Sequence, residues 1–268
     1  MTNRLLAAPI GLLFAACATP PPTTPPTTPA DWQLAWSDEF ERDGAPDPAK
    51  WSYEHGRVRN GEAQFYTAGR AENARIERGV LVLEARHEDH EGAAYTSASL
   101  HTKGRASWTH ARVEVRAKLP RGRGLWPAIW MLGENWHEVG WPDCGEIDVM
   151  EFVGFEPDVV HHNVHTGGFN HNRGNGRGRR LPLAGASDGF HVYSVEWDGE
   201  RMTFAVDGTT TFTVDNDHTG VASWPFDAPF FLLLNVAVGG SWGGQQGIDE
   251  SVFPQRMEVD WVRVSTKV

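Results

Sequence analysis

Gly145-Glu146-Ile147-Asp148-Val149-Met150-Glu151 places three carboxylates within six residues of an apolar run. The Ile, Val and Met between them mark a strand, in which successive side chains alternate faces. Glu146 and Asp148 therefore share a face, whereas Glu151, five residues after Glu146, is due on the opposite one. There it would be a charge aimed into a hydrophobic core, at a cost of several kcal/mol. One extra residue between Asp148 and Glu151, a β-bulge, repairs the parity. The three acids then line one surface at Cα spacings of roughly 7 Å. Two carboxylates flanking one bond are the apparatus of glycoside hydrolysis.

The elements that must carry these acids read as strands. No helix-period segment of useful length stands out. Short β-rich runs recur instead at Gly79–Ala85, Ala111–Lys118, Phe190–Trp197, Met202–Val206 and Val259–Val264, separated by Gly, Pro and Asp. Residues 111–118 alternate polar and apolar as a half-buried antiparallel strand does. Asp207-Gly208 is a hairpin turn signal. Phe230–Leu234 is continuously apolar, as in a strand covered on both faces. Many short strands without helices between them predict an all-β sandwich. Of twelve Trp, Trp126, Trp130, Trp136 and Trp141 crowd the approach to the acids, and Trp242 lies in a Gly-rich loop. Indole faces stack on the apolar faces of sugar rings, so this cluster points to substrate binding.

The chain has 268 residues and a formal charge of −11, which argues against a nucleic-acid partner. Its opening is a short charged segment, an apolar run from Leu5 to Ala16, then Cys17. That is too short to span a membrane and reads as an export signal over residues 1–18. Ala16-Cys17-Ala18 fits ordinary signal cleavage, and Phe14-Ala15-Ala16-Cys17 resembles a lipobox in which Cys17 is lipidated. The expected location is the cell envelope, as a lipoprotein, or the medium. Membrane contact is expected only through that anchor. Residues 19–30 form a Pro/Thr linker, an extended spacer of about 30 Å. Residues 31–268 are one expected domain, acting as a monomer. Cys144 is the only Cys in it, so its core must hold it without a disulfide; a buried small hydrophobe suits Cys144 better than a nucleophile. Arg173–Arg180 reads as a mobile surface loop. His161, His162, His165 and His171 invite a zinc reading, but no carboxylate or Cys spacing completes a known site.

On these residues the chain resembles glycoside hydrolase family 16, and within it laminarinase-like endo-β-1,3-glucanases. Glu146-Ile-Asp148-Val-Met-Glu151 matches the bulged signature of that family. Further matching stretches are Trp36–Phe40, Asn60–Thr67, Lys118–Leu132, Gly140–Gly145, Val164–Gly167, Leu234–Gly240 and Phe253–Val264. The resemblance implies a jelly-roll (concanavalin A-like) sandwich with a concave substrate cleft and no cofactor for catalysis. It implies Glu146 as nucleophile, Glu151 as general acid/base and Asp148 as the residue that orients them. It implies His165, Asn60 and Asn235 near the sugar, beside Trp126, Trp130, Trp141 and Trp242. It also implies a structural Ca²⁺ held by Glu39, the backbone of Gly79 and Asp260. The expected partner is a β-glucan cut with retention at internal β-1,3 bonds. Alternatives are a mixed-linkage glucan or galactan, transglycosylation, and a non-catalytic glucan-binding module, which generally loses the acids kept here. Thr96-Ser97-Ala98 and His110-Ala111 depart from the usual pattern and bear on a cleft wall; Trp261 replaces a frequent Tyr.

Overall fold

The computed structural model describes residues 31–268; the expected export signal, Cys17 and the expected Pro/Thr linker lie outside the described residues. In chain order the strands are β1 (Trp32–Asp38), β2 (Ser52–Tyr53), β3 (Gln64–Tyr66), β4 (Ala74–Glu77), β5 (Val80–His90) and β6 (Ala93–Ser97). They continue with β7 (Ser99–His101), β8 (Ala111–Lys118), β9 (Leu125–Gly133), β10 (Glu146–Glu151), β11 (Val159–His165) and β12 (Arg177–Pro182). The last are β13 (His191–Trp197), β14 (Arg201–Val206), β15 (Thr209–Asp215), β16 (Phe230–Val238) and β17 (Gln255–Lys267). One four-residue helix, Trp136–Val139, interrupts them.

Two sheets form the sandwich. One has ten strands, in the order β15-β14-β13-β8-β17-β5-β6-β3, with β1 added to β17 and β4 to β5. The other has seven, in the order β12-β11-β10-β9-β16-β7-β2. Pairing is antiparallel except between β3 and β6. This is the all-β jelly-roll architecture expected. The alternation of residues 111–118 places Ala111, Val113, Val115 and Ala117 in the core, and Asp207-Gly208 turns the β14–β15 hairpin with both φ angles positive, at 50° and 76°.

β16 is buried along its whole length. Phe230, Leu232, Leu234, Val236 and Val238 join the core between the sheets. Phe231 and Leu233 instead pack outward with Ala128, Trp130, Leu132 and Cys144 in a second apolar layer. That layer underlies the cleft. Trp136, expected at the approach to the acids, packs against this layer with Lys103 Nζ 4.6 Å from its ring. Cys144 is fully buried, with its thiol pushed up to about 12 by burial, and is inert at neutral pH.

The segment expected to be a mobile loop is in part a strand. β12 is the edge of the seven-stranded sheet, paired with β11 from Val159↔Pro182 to Val164↔Arg177. Its polar side chains guard an edge: Arg177 pairs with Asp217 at 2.9 Å and Arg180 with Glu156 at 3.2 Å.

Candidate active site

The parity problem of the acidic run is solved as its spacing requires. Opposite β11, Asp148 pairs with Asn163 and Glu151 with His161, so one partner residue faces two on β10. Ile147, Val149 and Met150 all enter the core, the last two consecutively. Glu146, Asp148 and Glu151 thereby face one cleft, together with Trp126, Trp130, Asn60, Glu62 and Asn235. His162 supports the bulge from the core side. Its Nδ1 lies 2.7 Å from the carbonyl of Val149, and its Nε2 2.9 Å from Thr211 Oγ1. Burial pushes it down to about 4, so it is neutral and donates to that carbonyl. His162 is thus a structural prop, turned away from His161 and His165.

Each acid is held differently. Glu151 accepts from Trp126 Nε1 at 3.1 Å and from Asn163 Nδ2 at 2.8 Å. His165 Nε2 stands 3.3 Å from Asp148 Oδ2 and 3.8 Å from Glu146 Oε1. One atom from each of Glu146, Asp148 and His165 lies within 4.8 Å of the others. Burial raises all three carboxyls. Glu146 goes to about 8, through burial and then the charge of Asp148, with His165 opposing. Asp148 goes well above the carboxylate range, through burial and Glu151. Glu151 rises through burial, against the bonds from Asn163 and Trp126. One pocket cannot hold three unscreened negative charges. The three carboxyls therefore titrate as a unit, with burial and then the Asp148 charge raising Glu146 and His165 opposing that rise.

The aromatic residues divide. Trp126 forms a wall, edge-to-face with Trp242 at 5.5 Å, and Trp242 meets His161 at 4.8 Å. Trp141 is exposed beside His165 and His171, at 6.0 and 5.3 Å. Trp130 is different. It is buried, with the Arg59 guanidinium 5.0 Å from its ring centroid and its Nε1 bonded to Asn235 Oδ1 at 2.8 Å. Asn235 in turn donates to Tyr66 at 3.0 Å. Asn235 is thereby fixed in the cleft floor, with one amide N–H and one oxygen lone pair committed inside the protein. Asn60 lines the cleft and donates to Glu62 Oε1 at 3.2 Å.

Three groups in this site had no role assigned from sequence. Glu62 is buried and raised by desolvation; it accepts from Gln64 at 2.6 Å and Tyr66 at 3.3 Å. Arg59 pairs with Glu54 and covers Trp130. Asn163 holds Glu151. The period-two spacing of Glu62, Gln64 and Tyr66, and of His161, Asn163 and His165, is the signal that puts each set on one face. The departures expected at the cleft wall lie elsewhere. Thr96, Ser97 and Ala98 are fully buried, and His110 is exposed and bonded to Asp227.

The residues for which the resemblance implies calcium lie on the ten-stranded sheet. Glu39, just after β1, accepts from Arg263 at 2.9 and 2.8 Å, and Asp260 pairs with Arg116. Calcium takes roughly six to eight oxygens. Two carboxylates already neutralised by arginines do not fit such a cage, even with the backbone of Gly79 nearby.

A bulged acidic strand in an aromatic cleft on a jelly-roll sandwich is a glycosidase arrangement. The family model of glycosyl hydrolases family 16 matches residues 61–263, and the chain belongs to that family. It is 51% identical over 243 residues to a beta-glucanase of Rhodothermus marinus, covering 87% of this chain and 85% of that relative. It superposes with a TM-score of 0.86 on the laminarinase from Rhodothermus marinus, at 50% identity, covering 88% of this chain and 98% of the other. A non-specific endo-β-1,3(4)-glucanase of the same family, co-crystallised with 1,3-β-D-cellotriosyl-glucose, gives 0.85 at 46% identity, over 89% of this chain and 96% of its own.

Proposed function

We propose that this protein hydrolyses internal β-1,3-glucosidic bonds of laminarin-type glucans by double displacement. The observation that carries this is the bulge, which turns Glu146, Asp148 and Glu151 into one cleft lined by Trp126. Relatives described as beta-glucanase and laminarinase support the substrate class. In the first step Glu151 gives its proton to the glycosidic oxygen, which takes the electron pair of the breaking C–O bond. Glu146 attacks the anomeric carbon and forms a glycosyl-enzyme. In the second, Glu151 takes a proton from water, whose oxygen displaces Glu146. Asp148, between the two on the same face and 3.3 Å from His165 Nε2, orients Glu146 and tunes its charge. The anomeric configuration is retained: proton NMR of the first-formed reducing end is expected to show the β anomer, and an initial α product would overturn the mechanism.

The deciding assay is reducing-sugar release from laminarin, beside a Glu146→Gln control, with lichenan and agarose in parallel. Release from laminarin that vanishes in the control is the expected result. Tight laminarin binding without release from any glycan would make this a recognition protein. Export with lipid attachment at Cys17 completes the proposal, and the Pro/Thr spacing of residues 19–30 supports it. Full-length protein is then expected in the detergent phase on phase separation, and Cys17→Ser in the aqueous phase.

A further inference from the structure

We propose that Asn163, given its place by the missing side chain at Gly178, positions the Glu151 carboxyl and stabilises the negative charge that Glu151 acquires on proton transfer. This rests on the acid/base reading of Glu151. The three residues lie across adjacent strands: Asn163 pairs with Asp148 on one side and with Gly178 on the other. Its Nδ2 donates to Glu151 Oε2 at 2.8 Å. A Cβ at Gly178 would overlap Asn163 Oδ1, and would stand 2.8 Å from the carbonyl oxygen of His162 and 3.0 Å from Asn163 Cγ. Gly178 does not have a positive φ, so alanine meets no backbone strain there. The obstacle is chiefly the end of the Asn163 side chain. That end can swing aside, whereas the His162 carbonyl oxygen is backbone and is relieved only if β12, an edge strand, shifts slightly. The cost of a methyl group at Gly178 therefore falls on the Asn163–Glu151 bond more than on the fold.

The chemistry gives this bond a direction. When Glu151 delivers its proton it becomes a carboxylate, and an N–H donor aimed at that oxygen binds the charged form more strongly than the neutral one. Asn163 thus supports proton departure in the first step, whereas burial opposes it. Trp126, on the cleft wall, supplies the second donor.

The test is the pH dependence of kcat/KM on laminarin for wild type, Asn163→Ala, Gly178→Ala and the double variant. Because Glu151 must be protonated in the first step, kcat/KM falls as pH rises through its titration. Loss of the donor favours the protonated form, so the alkaline limb moves up by about one pH unit in each single variant. The plateau falls roughly tenfold or more. The double variant matches Asn163→Ala, since Gly178 acts only through Asn163. A nitrophenyl β-laminaribioside, whose leaving group needs no proton, keeps its kcat/KM in all variants. An unshifted limb in Asn163→Ala, an additive double variant, or equal losses on the aryl substrate would overturn the proposal. Wild type inactive on laminarin would instead remove the functional reading beneath it.

Discussion

Glu146 must be ionised to attack, yet its surroundings push its carboxyl up to about 8. A proton carried by Asp148, whose carboxyl burial also raises, would relieve this by leaving Glu146 the charge. Asp148→Asn should then keep the acid limb of kcat/KM in place while lowering the rate about tenfold. A limb that moves down in this variant would mean that Asp148 works ionised. Glu146→Gln should cost about 10³-fold or more in kcat, measured by reducing-sugar release. The same change should stabilise the fold. The folded carboxyl titrates above its ordinary 4.5, so its contribution is full below pH 4.5 and is lost as pH rises toward 8. Wild type therefore weakens across that window while the amide does not. Thermal unfolding at pH 8 should favour Glu146→Gln by on the order of 1–3 kcal/mol, with the gap closing near pH 4.5. Equal gaps at both pH values would count against the raised carboxyl.

Strand β10 shows what a sequence reveals of an element and what it conceals. Parity alone demanded the bulge, because a buried carboxylate is too costly to leave uncorrected, and Ala111–Lys118 declared its own bounds through alternation. β12 did not, because Arg177, Arg179 and Arg180 along an exposed edge leave no apolar alternation and the pairing that makes it a strand is all backbone. Trp130 and Asn235 line the cleft, yet their partners there were hidden for a related reason. Residue type says that indole and amide suit a sugar, but not that Arg59 and Tyr66 already occupy them. The loops that flank the acidic strand are pinned by backbone contact: Gly154 N donates to the Leu125 carbonyl at 2.9 Å, and a Cβ at Gly154 would overlap the Gly122 carbonyl oxygen. No flexible side chain can give way there. Gly154→Ala should lower stability by roughly 2–4 kcal/mol in denaturant unfolding. Gly178→Ala, whose one close backbone obstacle is the His162 carbonyl, should cost less, roughly 1–2 kcal/mol.

Across the molecule, arginines stand where a cation was expected. Chelation by EDTA should leave the Tm unchanged, and a fall of several degrees reversed by Ca²⁺ would reinstate the ion at Glu39 and Asp260. With Cys144 the one cysteine among the described residues, no disulfide joins the two sheets there, and they rest on their shared core and on how the chain is threaded through it. β17 follows every other described strand in chain order, yet it lies in the middle of the ten-stranded sheet. It pairs with β8 along one edge and with β5 and then β1 along the other. A chain still emerging from the ribosome holds two halves of a sheet with no seam to join them. Folding must wait for residues 255–267, and few native contacts form early to reward the long loops being closed. A nascent chain so delayed stays threadable, which is the condition that the export proposed above would impose before a membrane is crossed.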